Sequence, residues 1–184
     1  MIIGVTGPLC AGTDTFGEIL KKEKGFEWFS YSDVLREEAK KNGFEITRKN
    51  LQDLGDEMRR QFGNGVLSEK LIERMESGKD YVVGNIRNPG EVEVLRRWFG
   101  KKFVLVRIDA PLEVRFERLL RRRREQDPDN LEDFKKVEER DLGEHEEYYG
   151  QQHSSVFAMA DFSINNDGSF EEFREKVLKF LKEI

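Results

Sequence analysis

The chain is predicted to be α/β, a three-layer α/β/α arrangement with a five-stranded parallel sheet and a helical lid. Three observations predict this. Short apolar runs alternate with long amphipathic stretches, the pattern of parallel strands joined by helices. A glycine-containing loop sits between the first apolar run and the first amphipathic stretch. No internal repeat, low-complexity tract or Pro/Ser-rich linker interrupts the 184 residues, so one domain is expected over 1–184.

The elements read as follows. Ile2 to Thr6 is an apolar strand, and Gly7 to Gly12 its loop. A helix runs from Thr13 to Lys24, with Phe16, Ile19 and Leu20 on one side. Phe26 to Ser30 is the second strand. Helices follow over 33–41, 48–62 and 66–77. Tyr81 to Gly84 is the third strand, and Pro89 opens a helix at its first turn. Phe103 to Asp109 is the fourth strand. Pro111 opens a helix that reaches Arg124, with Leu112, Phe116, Leu119 and Leu120 at helical spacing. A helix over 131–142, a strand over 161–165 and a helix over 170–181 complete the chain.

Composition narrows the function. Charged residues make up 38%, yet 32 basic and 37 acidic side chains leave a net charge of −5, which argues against a basic nucleic-acid binder. A content of 37% hydrophobic residues with 14 Phe is enough for a core, so disorder is not expected. No apolar run approaches the roughly 20 residues of a membrane span, and no secretory segment is visible. The single cysteine, Cys10, forms no internal disulfide, and a cytoplasmic location is expected. His145 and His153 are eight residues apart with no cysteine near them, which is no zinc pattern and reads as surface or structural.

In a parallel sheet, ligands sit beyond the carboxyl ends of the strands, so the segments after each strand carry the search. Gly7-Pro8-Leu9-Cys10-Ala11-Gly12 has the glycine spacing of a phosphate loop between strand and helix. Glycines let backbone N–H groups turn around an anion, and the helix N-terminus adds a favourable dipole. The loop motif expects Lys and then Ser/Thr after its second glycine; this chain has Thr13-Asp14-Thr15, and residues 1–20 contain no Lys or Arg. Thr15 and Asp14 suit a magnesium ion or its water, and Asp14 equally suits a helix first turn.

With this loop the sequence resembles the P-loop nucleoside monophosphate kinase superfamily, nearest its adenylate-kinase-like, deoxynucleotide-kinase-like and dephospho-CoA-kinase-like members. Some members carry Gly-Lys-Asp-Thr where this chain has Gly12-Thr13-Asp14-Thr15. Ser30-Tyr31-Ser32-Asp33-Val34-Leu35-Arg36 looks like their segment in which an Asp caps a helix and an Arg reaches the acceptor phosphate. Physically, Ser32 or Asp33 is a cap and Arg36 a solvated or phosphate-binding fork. Gly84-Asn85-Ile86-Arg87 follows the third strand where relatives have Asp-Gly and then Arg, so Arg87 stands at the phosphate-contacting position and the Asp is replaced. Asp33 and Asp109 remain candidate carboxylates.

Residues 111–124 hold six arginines against two glutamates, and residues 125–147 hold 11 acids against 3 bases. Neighbouring blocks of this kind pair with each other and repel a polyanion. The resemblance implies a lid over about 118–142, whose arginines Arg118, Arg122, Arg124 and Arg140 close on phosphates, although Arg140 equally suits an ion pair on its own helix. It also implies an acceptor-binding region over about 31–78, with Arg36, Arg59, Asn85, Arg87 and Asp33 at the acceptor. Asn166, in Asn165-Asn166-Asp167-Gly168, stands where relatives frame the donor base, or simply in a turn.

The expected function is transfer of the γ-phosphoryl group of ATP or another nucleoside triphosphate, with Mg²⁺, to a nucleoside or deoxynucleoside monophosphate. Gly7, Cys10, Ala11, Gly12 and Thr13 would hold the donor, while Arg87, Arg118, Arg122 and Asp33 serve the transfer. A dephospho-CoA-kinase-like enzyme and a catalytically impaired nucleotide sensor are the alternatives. The sequence carries no signal for oligomeric state, nucleic-acid binding or membrane attachment.

Overall fold

The computed structural model describes residues 1–122, 127–143 and 147–184. Strands β1 (Ile2–Thr6), β2 (Glu27–Ser30), β3 (Tyr81–Gly84), β4 (Phe103–Asp109) and β5 (Phe162–Asn165) form one sheet. Its order is β2-β3-β1-β4-β5. Every pairing is parallel, with Ile2 opposite both Tyr81 and Phe103, and Val106 opposite Phe162. Strand order reverses around β1, which places the ligand crevice at the ends of β1, β3 and β4.

The helices are α1 (Thr13–Lys24), α2 (Tyr31–Lys41), α3 (Arg48–Phe62), α4 (Val66–Ile72), α5 (Pro89–Phe99), α6 (Leu112–Arg122), α7 (Leu131–Leu142), α8 (His153–Ala158) and α9 (Phe170–Phe180). Because strand side chains alternate between faces, the buried strands feed two cores. Ile2, Tyr81, Val83, Phe103 and Leu105 meet Val34, Leu67, Leu71, Val92, Leu95 and Val156 from α2, α4, α5 and α8. Ile3, Val5, Val82, Val106 and Ile108 meet Phe16, Leu20, Phe173 and Val177 from α1 and α9. The expected three-layer sandwich is therefore the observed one. Among the described residues, no helix is long and apolar enough to cross a membrane.

Local chemistry moves several boundaries. The cap of α2 is Ser30, whose Oγ accepts from the Ser32 N–H at 3.1 Å, so neither Ser32 nor Asp33 is the cap and the helix starts two residues early. The helix expected over 66–77 ends at Ile72, because Arg74 and Met75 donate to Leu71 and Ile72, three residues back, and tighten the chain out of α geometry. Strand β2 starts at Glu27, since the Phe26 N–H donates to Leu20 as part of the close of α1. The helix α6 ends at Arg122, just before residues outside the description. Helix α8 has no counterpart in the sequence reading.

Caps fix the entries into the site. Asn88 and Glu91 form a reciprocal capping box at the start of α5, behind Pro89. Ser169 and Glu172 do the same for α9.

Candidate functional site

Four strand ends converge on a cavity of about 1140 Å³. Its floor is the loop after β1. The Ala11 N–H donates to Pro8 at 3.0 Å, and the Phe16 N–H donates to Gly12 at 2.9 Å, which starts α1 directly behind the loop. Cys10 and Gly12 have φ of 63° and 109°, in the left-handed region that turns the chain tightly here. A Cβ on Gly12 would overlap the Asn166 amide, so a glycine is required on two counts. Thr13, Asp14 and Thr15 continue the floor into the first turn of α1. This cradle, together with a helix N-terminus, fits a polyphosphate. Thr15 and Asp14, the expected magnesium residues, line the cavity, and the described residues contain no cluster of three or more His, Cys, Asp or Glu that could hold a metal ion.

Asn166 locks the loop from the side. Its Nδ2 donates to the Ala11 carbonyl at 2.7 Å. Arg118 donates to the Asn166 carbonyl at 2.9 Å and to the Ala11 carbonyl at 3.4 Å. Arg115, one turn earlier on α6, donates to Leu9 at 3.3 Å and pairs with Glu138 on α7. Arg122, one turn later, makes a bidentate pair with Asp127, at 2.7 and 2.6 Å. The Arg115–Arg118–Arg122 stripe therefore lies over the phosphate loop, and the acidic block that follows it in sequence supplies partners to Arg115 and Arg122. Burial pushes the Cys10 thiol up despite nearby arginines, so it stays protonated.

The opposite wall is built around Arg87. Arg87, after β3, donates to Gln151 Oε1 at 3.0 Å and makes no ion pair among the described residues. Burial pushes its pKa down, and Asp141 opposes that. Its backbone is fixed at both ends. The Arg87 N–H donates to Glu91 Oε2 at 2.8 Å, and the Gln152 N–H donates to the Arg87 carbonyl at 2.7 Å. Asn85, with φ 63°, donates to Ser30 Oγ at 2.9 Å and so ties the ends of β2 and β3 together. Trp28 packs its indole against Gly17 and Gly84, where any Cβ would overlap the ring, and forms part of the lining.

The predicted residues are thus brought together with few exceptions. Asp33 and Arg36 both line the cavity, paired to each other at 2.9 Å. Arg59 lines it too, but its guanidinium is occupied by Glu91 at 3.0 Å, Asp56 at 2.8 Å and the Tyr149 carbonyl at 2.6 Å. Ala11 is buried within the loop and outside the lining, its N–H taken by Pro8 and its carbonyl by Asn166 and Arg118. Arg140 is outside the lining. It pairs with Asp53 at 2.9 Å on α3. Arg124 and His145 lie outside the described residues. Asp109 is paired with Arg107.

Sequence reasoning missed Arg48, Asp141, Gln151 and His153, all of which line the cavity. Asp141 on α7 accepts from Arg48 at 2.7 Å and from Gln52 at 2.9 Å, which bolts α7 to α3. Burial alone would raise Asp141, but Arg87 and Arg48 hold its carboxyl below the usual range. No periodicity points to these residues, because tertiary contacts alone assemble them.

Comparison with known proteins agrees with this geometry. A family model described as "AAA domain" matches residues 6–135. A "UPF0200/UPF0201 protein" of Archaeoglobus fulgidus is 36% identical over 98% of the chain, and the chain spans only 54% of that relative's length. A "UPF0200 protein" of Thermococcus onnurineus is 34% identical over 100% of the chain and 98% of the relative. The crystal structure of shikimate kinase from Aquifex aeolicus superposes with a TM-score of 0.56 and 18% identity, covering 100% of this chain and 97% of that one, a likeness of fold.

Proposed function

The chain belongs to the UPF0200 proteins and to the AAA-domain family, and from that premise we propose that it is a phosphotransferase moving the γ-phosphoryl group of ATP, or another nucleoside triphosphate, to a nucleoside or deoxynucleoside monophosphate. One observation carries the reading. A phosphate loop and a guanidinium that makes no ion pair among the described residues, Arg87, line a single cavity. Asp141 offsets part of the cost of burying this cation from beyond hydrogen-bond distance, and a bound anion would offset more.

The chemistry asks little of the protein beyond placement and charge. The Gly7–Gly12 backbone would hold the donor phosphates. Thr15 and Asp14 would hold Mg²⁺, which neutralises phosphate charge when bound. Arg36 and Arg87 would hold the acceptor phosphate, and Asp33, Asn85 and Arg59 would shape its surroundings. An acceptor phosphate oxygen would attack the γ-phosphorus as the bond to the β–γ bridging oxygen breaks, giving two nucleoside diphosphates. No protein nucleophile is needed. Arg118 and Arg122 would supply the positive charge that Thr13 does not.

Thr13 favours a second reading, a nucleotide-binding sensor without turnover, because no cation stands in the loop to balance the outer phosphates. A coupled assay with MgATP and a panel of monophosphates, deoxymonophosphates and dephospho-CoA decides between the readings. Turnover by the wild type supports the transferase and sinks the sensor. ATP binding without turnover, together with a large gain in Thr13→Lys, supports a degraded site.

A further inference from the structure

Gln151 is 3% exposed and lines the cavity beside Arg87. Its Oε1 accepts from Arg87 Nη1 at 3.0 Å. A guanidinium only donates, so Arg87 decides which end of the amide faces it and turns the Nε2 end away. Among the described residues Nε2 has no hydrogen-bond partner. Unlike His153 Nδ1, it is not sealed in the packing, so this donor opens onto the cavity that Gln151 lines. An idle N–H pair on a nearly buried amide is a cost that a ligand removes.

The amide is held in place before any ligand arrives. The Gln152 N–H donates to the Arg87 carbonyl at 2.7 Å. Asn88 Nδ2 donates to the Tyr148 and Gly150 carbonyls at 3.1 and 2.9 Å, and Arg59 Nε donates to the Tyr149 carbonyl at 2.6 Å. On the other side the Gln151 carbonyl lies against Gly143, where any Cβ would overlap it. The rotamer freedom of the glutamine is therefore given up on folding and not on binding. Arg87 and Gln151 together present donors. Oε1 and Nε2 share one carbon, so a ligand oxygen that reaches Nε2 stands beside the guanidinium. A phosphoryl group brings several acceptor oxygens on one atom and a charge to match, whereas a lone hydroxyl brings one oxygen and no charge.

We infer that Gln151 is a specificity-determining residue for the acceptor, whose Nε2 donates to a second oxygen of the anionic group that Arg87 holds. The ligand class is a phosphate monoester with its dianionic end against these two residues. Two phosphoryl oxygens are then held, and the third is left to attack. The inference rests on the phosphotransferase reading above.

The test is calorimetric titration of the full chain with AMP, GMP, CMP and UMP, each beside its 5′-methylphosphonate analogue, in which a methyl group replaces one phosphoryl oxygen. Gln151→Met keeps the length of the side chain and removes both polar atoms. Gln151→Glu keeps a partner for Arg87 and puts an oxygen where the donor was. The wild type is expected to prefer a monophosphate over its analogue, and that preference should shrink by about 10-fold or more in Gln151→Met, the scale of one hydrogen bond to a charged group. Monophosphate affinity should fall by about 100-fold in Gln151→Glu, where a carboxylate occupies Arg87 and repels the ligand. An unchanged preference in Gln151→Met, with both ligands weakened alike, would reduce Gln151 to a support for Arg87 and overturn the inference. Tighter monophosphate binding in Gln151→Met, unchanged affinity in Gln151→Glu, or no binding of any monophosphate by the wild type would overturn it too. Should Gln151→Met fail to fold, Gln151→Asn, which draws the amide back by one methylene, is expected to lose the preference in the same way, and a full preference there counts against the inference. ATP titration and turnover run on the same samples. Absence of both defeats the phosphotransferase reading, whereas ATP binding and turnover with an unchanged preference in the variants defeat this inference alone.

Discussion

The Asn166 amide donates to the Ala11 carbonyl at 2.7 Å, so the end of the last strand holds the phosphate loop in shape. Gly12 leaves the space that this contact occupies, at a φ of 109°. Asn166→Ala removes a buried partner from Ala11 and is expected to cost about 1–3 kcal/mol of stability. ATP affinity should fall with it. Gly12→Ala meets both the unfavourable φ and the Asn166 amide, and should be worse on each count. Urea midpoints and ATP titration of the two variants check this. An Asn166→Ala protein with unchanged midpoint and ATP affinity would show that the loop needs no support from β5.

Arg87 trades stability for binding. Among the described residues its guanidinium meets only Gln151 at hydrogen-bond distance, and burial pushes its pKa down against the opposing Asp141. Arg87→Gln keeps a donor and removes the charge. The unliganded protein is expected to gain roughly 1 kcal/mol, as is common when a strained functional site is relaxed. Acceptor affinity should fall about 100-fold, the loss expected when a charged hydrogen-bonded partner is removed. Melting temperature without ligand, and monophosphate titration in parallel, read the two effects. A variant that is less stable and binds the acceptor as before refutes the anion-site assignment.

His153 gives the protein a pH signature with a definite sign. The ring is held neutral, down to about 3, whereas in the unfolded chain it takes a proton near its ordinary 6.5. The unfolded state therefore binds more protons between these values. The contribution to stability is complete above pH 6.5 and is lost as pH falls toward 3. Between pH 7.5 and pH 5.0 the loss is about 2 kcal/mol. Asp141, held low, titrates below this window, while Glu91, pushed up by burial, acts in the opposite direction. Comparing urea unfolding of wild type with His153→Asn at both pH values isolates the histidine. The variant should show a pH dependence smaller by that amount, and identical curves would contradict a buried neutral ring.

The parts legible in the sequence are those with local signals. Buried parallel strands are apolar runs, so Ile2 to Thr6 and Phe103 to Asp109 are read to the residue. The phosphate loop is a spacing between strand and helix, and Arg87 follows a strand end by three residues. Other features depend on contacts across the fold. Helix α8 has six residues, too few for a period to emerge. Asp141 meets Arg48 across 93 residues of chain, and Arg140 meets Asp53 across 87. The segment after α7 reaches the site because Asn88 and Arg59 grip the carbonyls of Tyr148, Tyr149 and Gly150. No pattern within one segment encodes that grip. Ser30 wins the cap of α2 over Ser32 because the β2 exit leaves Ser30 in extended geometry, a competition between adjacent polar residues that sequence alone does not decide.

Arg122 reaches the phosphate loop only by exchanging one anion for another. Its guanidinium is held bidentate by Asp127 at 2.7 and 2.6 Å, and that hydrogen bonding raises its pKa, so it remains charged. Both residues line the cavity, over a loop that holds no lysine. If Arg122 supplies the missing charge during transfer, Arg122→Ala should lower turnover by about 100- to 1,000-fold, the scale of removing one transition-state cation or donor. ATP affinity should change much less, because the loop backbone holds the ground state. Asp127→Asn removes the competing carboxylate and should tighten ATP binding by about 3- to 10-fold, with the gain shrinking at high salt as exposed charge interactions are screened. Turnover and ATP titration of the two variants at low and high ionic strength measure this. Equal losses of ATP affinity and turnover in Arg122→Ala would place the arginine in ground-state binding, and weaker binding in Asp127→Asn would make Asp127 a support for Arg122 instead of its competitor.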